Sequence, residues 1–272
     1  MAALPQNRPM PNHPVTPSTP LLSIDDGVAT VTLNRPAHRN RLEDADLHAL
    51  LQHMARIDAD TTVRVLVLTA NTQGQPRPVF SSGYHIGGFD GDAHNPQLFE
   101  KIPDALAALR PVTICALNGS VYGGATDLVL ACDLRIGLAG TELRMPATAL
   151  GLHYYPSGLQ RFVARFGVNG AKRAFLTARP FSAQRLLHMD CLEELASDTD
   201  SFAQALASLI GDVARLAPLA VQATKQSLDE IATGRSNLAA MRAREAMTAA
   251  SADFAEGRNA FLDKRSPRFT GR

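Results

Sequence analysis

Two glycine-bearing stretches of this chain hold residue types that suit acyl chemistry. The first spans 80–88 (FSSGYHIGG) and the second 118–127 (NGSVYGGATD). Gly123 and Gly124 at the start of a helix leave backbone N–H groups without intrahelical partners, with the positive end of the helix dipole behind them. Glycine also permits a tight turn and the close approach of a ligand. Such a site stabilises a developing oxyanion when a second N–H converges on it. Asp127 falls three residues after Gly124, within the first helical turn, so its carboxylate is near whatever those groups hold. The same residues also describe a plain turn followed by a capping charge. They are not a dinucleotide fingerprint, because G-x-G-x-x-G is absent from 118–128. A third stretch, 150–158 (LGLHYYPSG), presents His153, Tyr154 and Tyr155 on a loop.

The elements that must position these groups alternate between strand and helix. Residues 27–33 (GVATVTL) alternate as a half-buried strand, after a turn at 25–27. Leu47, Leu50, Leu51, Met54 and Ile57 predict a helix over 42–57. Residues 63–70 (VRVLVLTA) and 112–117 (VTICAL) are continuous apolar runs, suited to strands buried on both faces of a parallel sheet. Helices are expected at 98–109 and 124–132, and a strand at 133–138. This alternation implies right-handed crossovers and an α/β core. After Leu159 strand signals vanish, and 160–178, 182–188, 201–216, 218–233 and 236–255 favour helix, with breaks at Pro180, Pro218 and Gly234. The organisation expected is a leader over 1–20, a core over 21–200 and a helical region over 201–272. The leader holds six prolines and little apolar periodicity, which favours an extended, disordered segment. Met241, Met247, Phe254 and Phe261 leave apolar surface that would pack on the main domain or on another subunit.

Composition narrows the function classes. The 272 residues carry 27 Lys and Arg against 26 Asp and Glu, a net charge of +1. No concentrated basic face is available for a nucleic acid. The basic residues Arg161, Arg165, Lys172 and Arg173 read as the solvated face of a helix. Three widely spaced cysteines give no disulfide framework, and Cys132 reads as core. The absence of C-x-x-C and H-E-x-x-H leaves a metal without support. No apolar run approaches the ~20 residues of a membrane helix. A soluble cytoplasmic protein is expected.

Five segments in order resemble the crotonase superfamily, the enoyl-CoA hydratase/isomerase family. They are NRP at 34–36, VLVLTA at 65–70, FSSGYHI at 80–86, NGSVYGGATDLVLACDLRI at 118–136 and AFLDKRSPRF at 260–269. The resemblance covers about residues 21–270. It implies a spiral of ββα units with a helical C-terminal oligomerisation region, assembled as a homotrimer or a dimer of trimers. It implies an acyl-CoA substrate, with coenzyme A arriving as part of that substrate and no other cofactor. The N–H groups of Tyr84 and Gly124 match those that stabilise a thioester enolate. Ser82, Tyr84, His85 and Ile86 match the edge that holds adenine and pantetheine. Phe261 and Lys264 match tail residues that reach a neighbouring subunit's site in some relatives.

The chain also departs from that pattern. Hydratases of the family resemble one another in two glutamates. Asp127 stands at the first position, one methylene shorter, and Ala147 stands at the second. Alanine cannot move a proton, so two-carboxylate hydration is incomplete. The expected function is therefore enolate chemistry on an acyl-CoA thioester with Asp127 as acid/base, suited to double-bond isomerisation or weak hydration. Spacing in the 150–158 loop resembles methylmalonyl-CoA decarboxylase, whose loop tyrosine matches Tyr154. That supports an alternative: a decarboxylase or hydrolase using Tyr154 or His153, with the tyrosines as mere pocket lining the plainer possibility. A non-catalytic CoA-thioester-binding protein is the third. His85 suits a binding contact, and His94 lies in a loop, 92–96, that the resemblance matches to one bordering the active site in relatives.

Overall fold

The computed structural model describes residues 19–85 and 97–272; Ile86, His94 and most of the expected leader lie outside them. The chain enters through a hairpin of β1 (Leu21–Asp25) and β2 (Val28–Leu33). Asp26 and Gly27 between them both have positive φ, 42° and 76°. That is the turn whose twist matches paired strands. In β2, buried residues alternate with half-buried ones, as its sequence alternates. α1 (Asp44–Ala59) follows, and the Glu43 and Asp46 side chains cap its first turn reciprocally.

Three strand pairs then repeat one pattern. β3 (Val65–Ala70), β5 (Val112–Leu117) and β7 (Leu134–Leu138) join the large sheet. Each is followed by a three-residue strand, β4 (Val79–Ser81), β6 (Ser120–Tyr122) or β8 (Glu142–Arg144), that joins a smaller second sheet. α2 (Lys101–Ala108), α3 (Ala125–Ala131) and α4 (Pro156–Thr177) come after these pairs. This is the expected spiral of ββα units. β9 (Phe181–Ser182) closes the small sheet antiparallel to β8, α5 (Ala183–His188) follows, and β10 (Glu194–Ala196) extends the large one parallel to β7. All six residues of β5 are buried, as a continuous apolar run demands.

Several expectations are corrected. Strands do not end at Leu159, because β9 and β10 lie beyond it; two or three residues are too few to show a period. The helix expected over 160–178 begins at Pro156 and is broken at Gly167 (φ 65°, ψ 170°). The single helix expected over 236–255 is two, α8 (Leu238–Ala249) and α9 (Ala252–Leu262). Ser251 separates them, its Oγ accepting the Phe254 N–H at 3.0 Å. α6 (Thr199–Ala214) sets Phe202 and Ala205 against Val65, Val67, Ile114 and Ile136, covering the second face of the large sheet. By packing, the core thus runs past residue 200 to the end of α6.

α7 (Pro218–Ala232) fully buries no residue and is tied to the core by polar contacts. Lys225 Nζ lies 2.8 Å from both an Asp133 oxygen and the Pro111 carbonyl. Phe254 and Phe261 remain exposed, Phe261 by 83%. Among the described residues no single helix is long and apolar enough to cross a membrane.

Candidate active site

The two glycine stretches meet. β4 and β6 pair in parallel, Ser81 opposite Val121, and the chains continue side by side into Gly83–Tyr84 and Gly123–Gly124. On its other side the first segment forms a bridge with Leu42, through the Gly83 carbonyl and the His85 N–H, each at 2.9 Å. In a parallel bridge those groups face the partner, so the Tyr84 N–H lies on the opposite edge. Gly83 has φ +97°, and a Cβ there would stand 2.9 Å from the Tyr122 carbonyl oxygen and 3.5 Å from Gly124 N. Only glycine permits that approach. The Gly124 N–H donates to no acceptor among the described residues. Phe99 covers this glycine closely enough that a Cβ would lie 2.7 Å from its ring.

Aromatic rings lead from there to the polar centre. Phe99 lies 5.5 Å from the Tyr84 ring and 6.3 Å from the Tyr155 ring. Tyr155 stacks on Tyr154 at 4.2 Å, and Tyr154 packs on Phe162 and Phe175. The Tyr154 hydroxyl donates to the Tyr155 oxygen at 3.0 Å. The Tyr155 hydroxyl donates to Asp127 Oδ2 at 2.5 Å. Asp127 is wholly buried in α3, and Arg161 of α4 grips both its oxygens, Nε to Oδ1 at 2.8 Å and Nη2 to Oδ2 at 2.7 Å. The remaining Arg161 nitrogen donates to Asp104 of α2 at 2.7 Å. Burial first, and the Asp127 charge second, push both phenols far above the ordinary tyrosine range. Burial opposes the Arg161 charge, but its bonds to Asp127 and Asp104 outweigh that and hold the guanidinium more firmly protonated than usual.

This overturns the solvated-face reading for Arg161, whose side chain is only 12% exposed, while Lys172 is exposed as expected. A sequence signal for it existed. α3 (ATDLVLA) is apolar apart from Thr126 and Asp127 and is buried throughout. A carboxylate on such a helix needs a cation, although nothing local says which. Phe99 carries no such signal in the sequence, and of the two loop tyrosines it is Tyr155, rather than Tyr154, that reaches Asp127. Tyr154 and Tyr155 are not a plain apolar lining, since both hydroxyls are bonded.

The other expected residues are spread more widely. Ala147 is buried at the start of a 3₁₀ turn after Pro146, and its side chain offers no proton-carrying group there. His153 is exposed, beside the buried Tyr154. Ser82 is exposed and His85 half-buried. Lys264 follows α9 with its N–H on the Phe261 carbonyl at 3.3 Å, and both side chains are exposed. Cys132 is core, as expected.

Tyr84 donates its hydroxyl to Asp44, and burial together with that carboxylate pushes its pKa up to about 12. A phenol held protonated in the folded state contributes stability below its unfolded pKa of ~10, which is lost as pH rises towards the folded value. Tyr84→Phe is therefore expected to flatten the loss of stability between pH 10 and 12, as read by urea denaturation across that range. An unchanged alkaline limb would contradict it.

The enoyl-CoA hydratase/isomerase family model matches residues 23–272. The chain is 30% identical over 258 residues to 2,3-dehydroadipyl-CoA hydratase of Escherichia coli K12, covering 93% of this chain and 98% of the relative. It is 27% identical over 264 residues to 1,2-epoxyphenylacetyl-CoA isomerase of the same organism, covering 93% and 98%. Among solved structures, an enoyl-CoA hydratase/carnithine racemase from Magnetospirillum magneticum superposes with a TM-score of 0.85 at 25% identity, covering 94% of this chain and 96% of that one.

Proposed function

The chain belongs to the enoyl-CoA hydratase/isomerase family, and from that premise we propose that it forms and protonates the enolate of an acyl-CoA thioester without adding water. The observation that carries this reading is the commitment of Asp127. Hydration by a carboxylate pair requires one group to take a proton from water and another to deliver one to carbon. Asp127 already accepts two bonds from Arg161 and one from Tyr155. Ala147 supplies nothing at the second position.

Decarboxylation suits such a site, because it needs no base. The bond between the α-carbon and the carboxylate of a malonyl-type thioester breaks, and carbon dioxide leaves. The electron pair passes to the thioester oxygen, where the N–H groups of Tyr84 and Gly124 stabilise it. The Tyr155 hydroxyl then turns from Asp127 Oδ2 towards the α-carbon, its O–H bond breaks, and the proton forms the new C–H bond there. Tyr154, whose hydroxyl points at the Tyr155 oxygen, supplies the replacement proton, and the pair regains one from water that enters once product has left. The Asp127–Arg161 pair is neutral as a unit, so a substrate carboxylate meets no net repulsion from it. Ser82, Tyr84, His85 and Ile86 hold the CoA portion in this reading, with Phe261 and Lys264 contributed by a neighbouring subunit of a cytoplasmic homotrimer or dimer of trimers.

Isomerisation of a 3-enoyl thioester is the second reading. Asp127 Oδ1 accepts a single bond, from Arg161 Nε, which leaves it a lone pair for an α-proton. The test is turnover of malonyl-type, 2-enoyl and 3-enoyl CoA thioesters in deuterated water, followed by mass spectrometry. Carbon dioxide release with one deuterium at the α-carbon is expected. Conversion of the 3-enoyl member alone would favour isomerisation; hydration of the 2-enoyl member, or no turnover at all, would overturn both readings.

A further inference from the structure

We propose that Arg161 is a positioning residue for proton delivery by Tyr155, acting through Asp127. The proposal rests on the reading above, in which Tyr155 gives up its proton. That step leaves a phenolate 2.5 Å from a carboxylate that has no exposure to solvent. Two like charges this close, shielded from water, oppose each other strongly. A compensating charge must already be in place, because the buried site has no solvent to reorganise around it.

Arg161 meets that need in geometry as well as charge. Its Nε and Nη2 hold the two Asp127 oxygens as a fork, and its Nη1 is held in turn by Asp104. The fork fixes the carboxylate plane, and so the direction from which Oδ2 receives the Tyr155 hydroxyl. A lysine ammonium supplies a point charge and cannot reproduce two parallel bonds. Among the described residues, the charged and titratable groups facing Asp127 are Arg161 and, through it, Asp104, together with Tyr155 and Tyr154. Asp104 is 46% exposed, so it orients the guanidinium but adds little charge of its own. The demand on Arg161 is greater when Tyr155 is deprotonating than when substrate merely binds. Its effect therefore falls on kcat rather than KM. The outer face of Arg161 lines a cleft of about 850 Å³ that α7 also borders, which gives small cations a route to its position.

The experiment is a double-mutant cycle of Arg161→Lys and Tyr155→Phe, read as kcat and KM on the turned-over thioester. Arg161→Lys alone is expected to lower kcat by about 10²-fold with KM nearly unchanged. In the Tyr155→Phe background it is expected to cost almost nothing further, since there is no proton left to position. A merely structural role would cost the same in both backgrounds. In Arg161→Ala, added guanidinium is expected to restore kcat at least tenfold where ammonium does not. Wild-type kcat in Arg161→Lys, additive losses in the cycle, or a loss confined to KM would each overturn the proposal. If Tyr155→Phe itself keeps full rate, the proton-donor reading fails, and this proposal with it. A slow Tyr155→Phe beside a fast Arg161→Lys sinks only the role of Arg161.

Discussion

Tyr155→Phe is expected to lower kcat by about 10²- to 10³-fold, the range for losing a positioned proton donor. The ring stays, so the stacking of Tyr155 on Tyr154 and its contact with Phe99 persist. Asp127 keeps both bonds from Arg161 and loses only the third. The Tyr154 hydroxyl, in a side chain only 6% exposed, loses its acceptor. One unsatisfied buried donor costs about 1–2 kcal/mol of stability. A large kinetic loss with a small stability loss is the signature to look for, by steady-state kinetics beside urea denaturation. A rate within threefold of wild type would remove Tyr155 from the chemistry. Tyr154 acts at one remove, through the Tyr155 oxygen.

Gly83→Ala is the second large effect, and it acts on the backbone. An alanine at φ +97° is strained, and its Cβ would press on the Tyr122 carbonyl oxygen at 2.9 Å. The strain alone costs about 1–3 kcal/mol. Relief comes from moving 82–84 away from 122–124, which separates the two N–H groups proposed to share one oxygen. Losing one such donor costs about 10²- to 10³-fold in kcat. Gly74→Ala is the control. It also has positive φ, 76°, but no atom within 4 Å of its Cβ position. It is expected to lose a little stability and keep its turnover. Equal kinetic losses in the two variants would show that backbone strain, not the approach of the two segments, is responsible.

The chain's local patterns determined a good deal. The run VTICAL at β5, apolar but for Thr113, matched a buried strand of a parallel sheet, and all six of its residues are buried. Glycines where a turn meets a helix marked the backbone of the site, because no other residue permits that approach. Ala147 stands where the resemblance to family hydratases places a second glutamate, and residue identity alone tells that it cannot carry a proton. What local pattern could not reach were the short strands β9 and β10, the break at Ser251 and the extension of the core through α6. Each is decided by what packs against it.

The state of Asp127 lay furthest from reach. Residue type marked it as an acid/base, and only the crossing of α3 by α4 makes it one half of a buried ion pair. Its partners stand 28 and 34 positions along the chain, at Tyr155 and Arg161. Identity sets which groups can ionise. Whether they are free to do so depends on neighbours brought within 3 Å by the fold, since charge interactions out of water are set by distance through space.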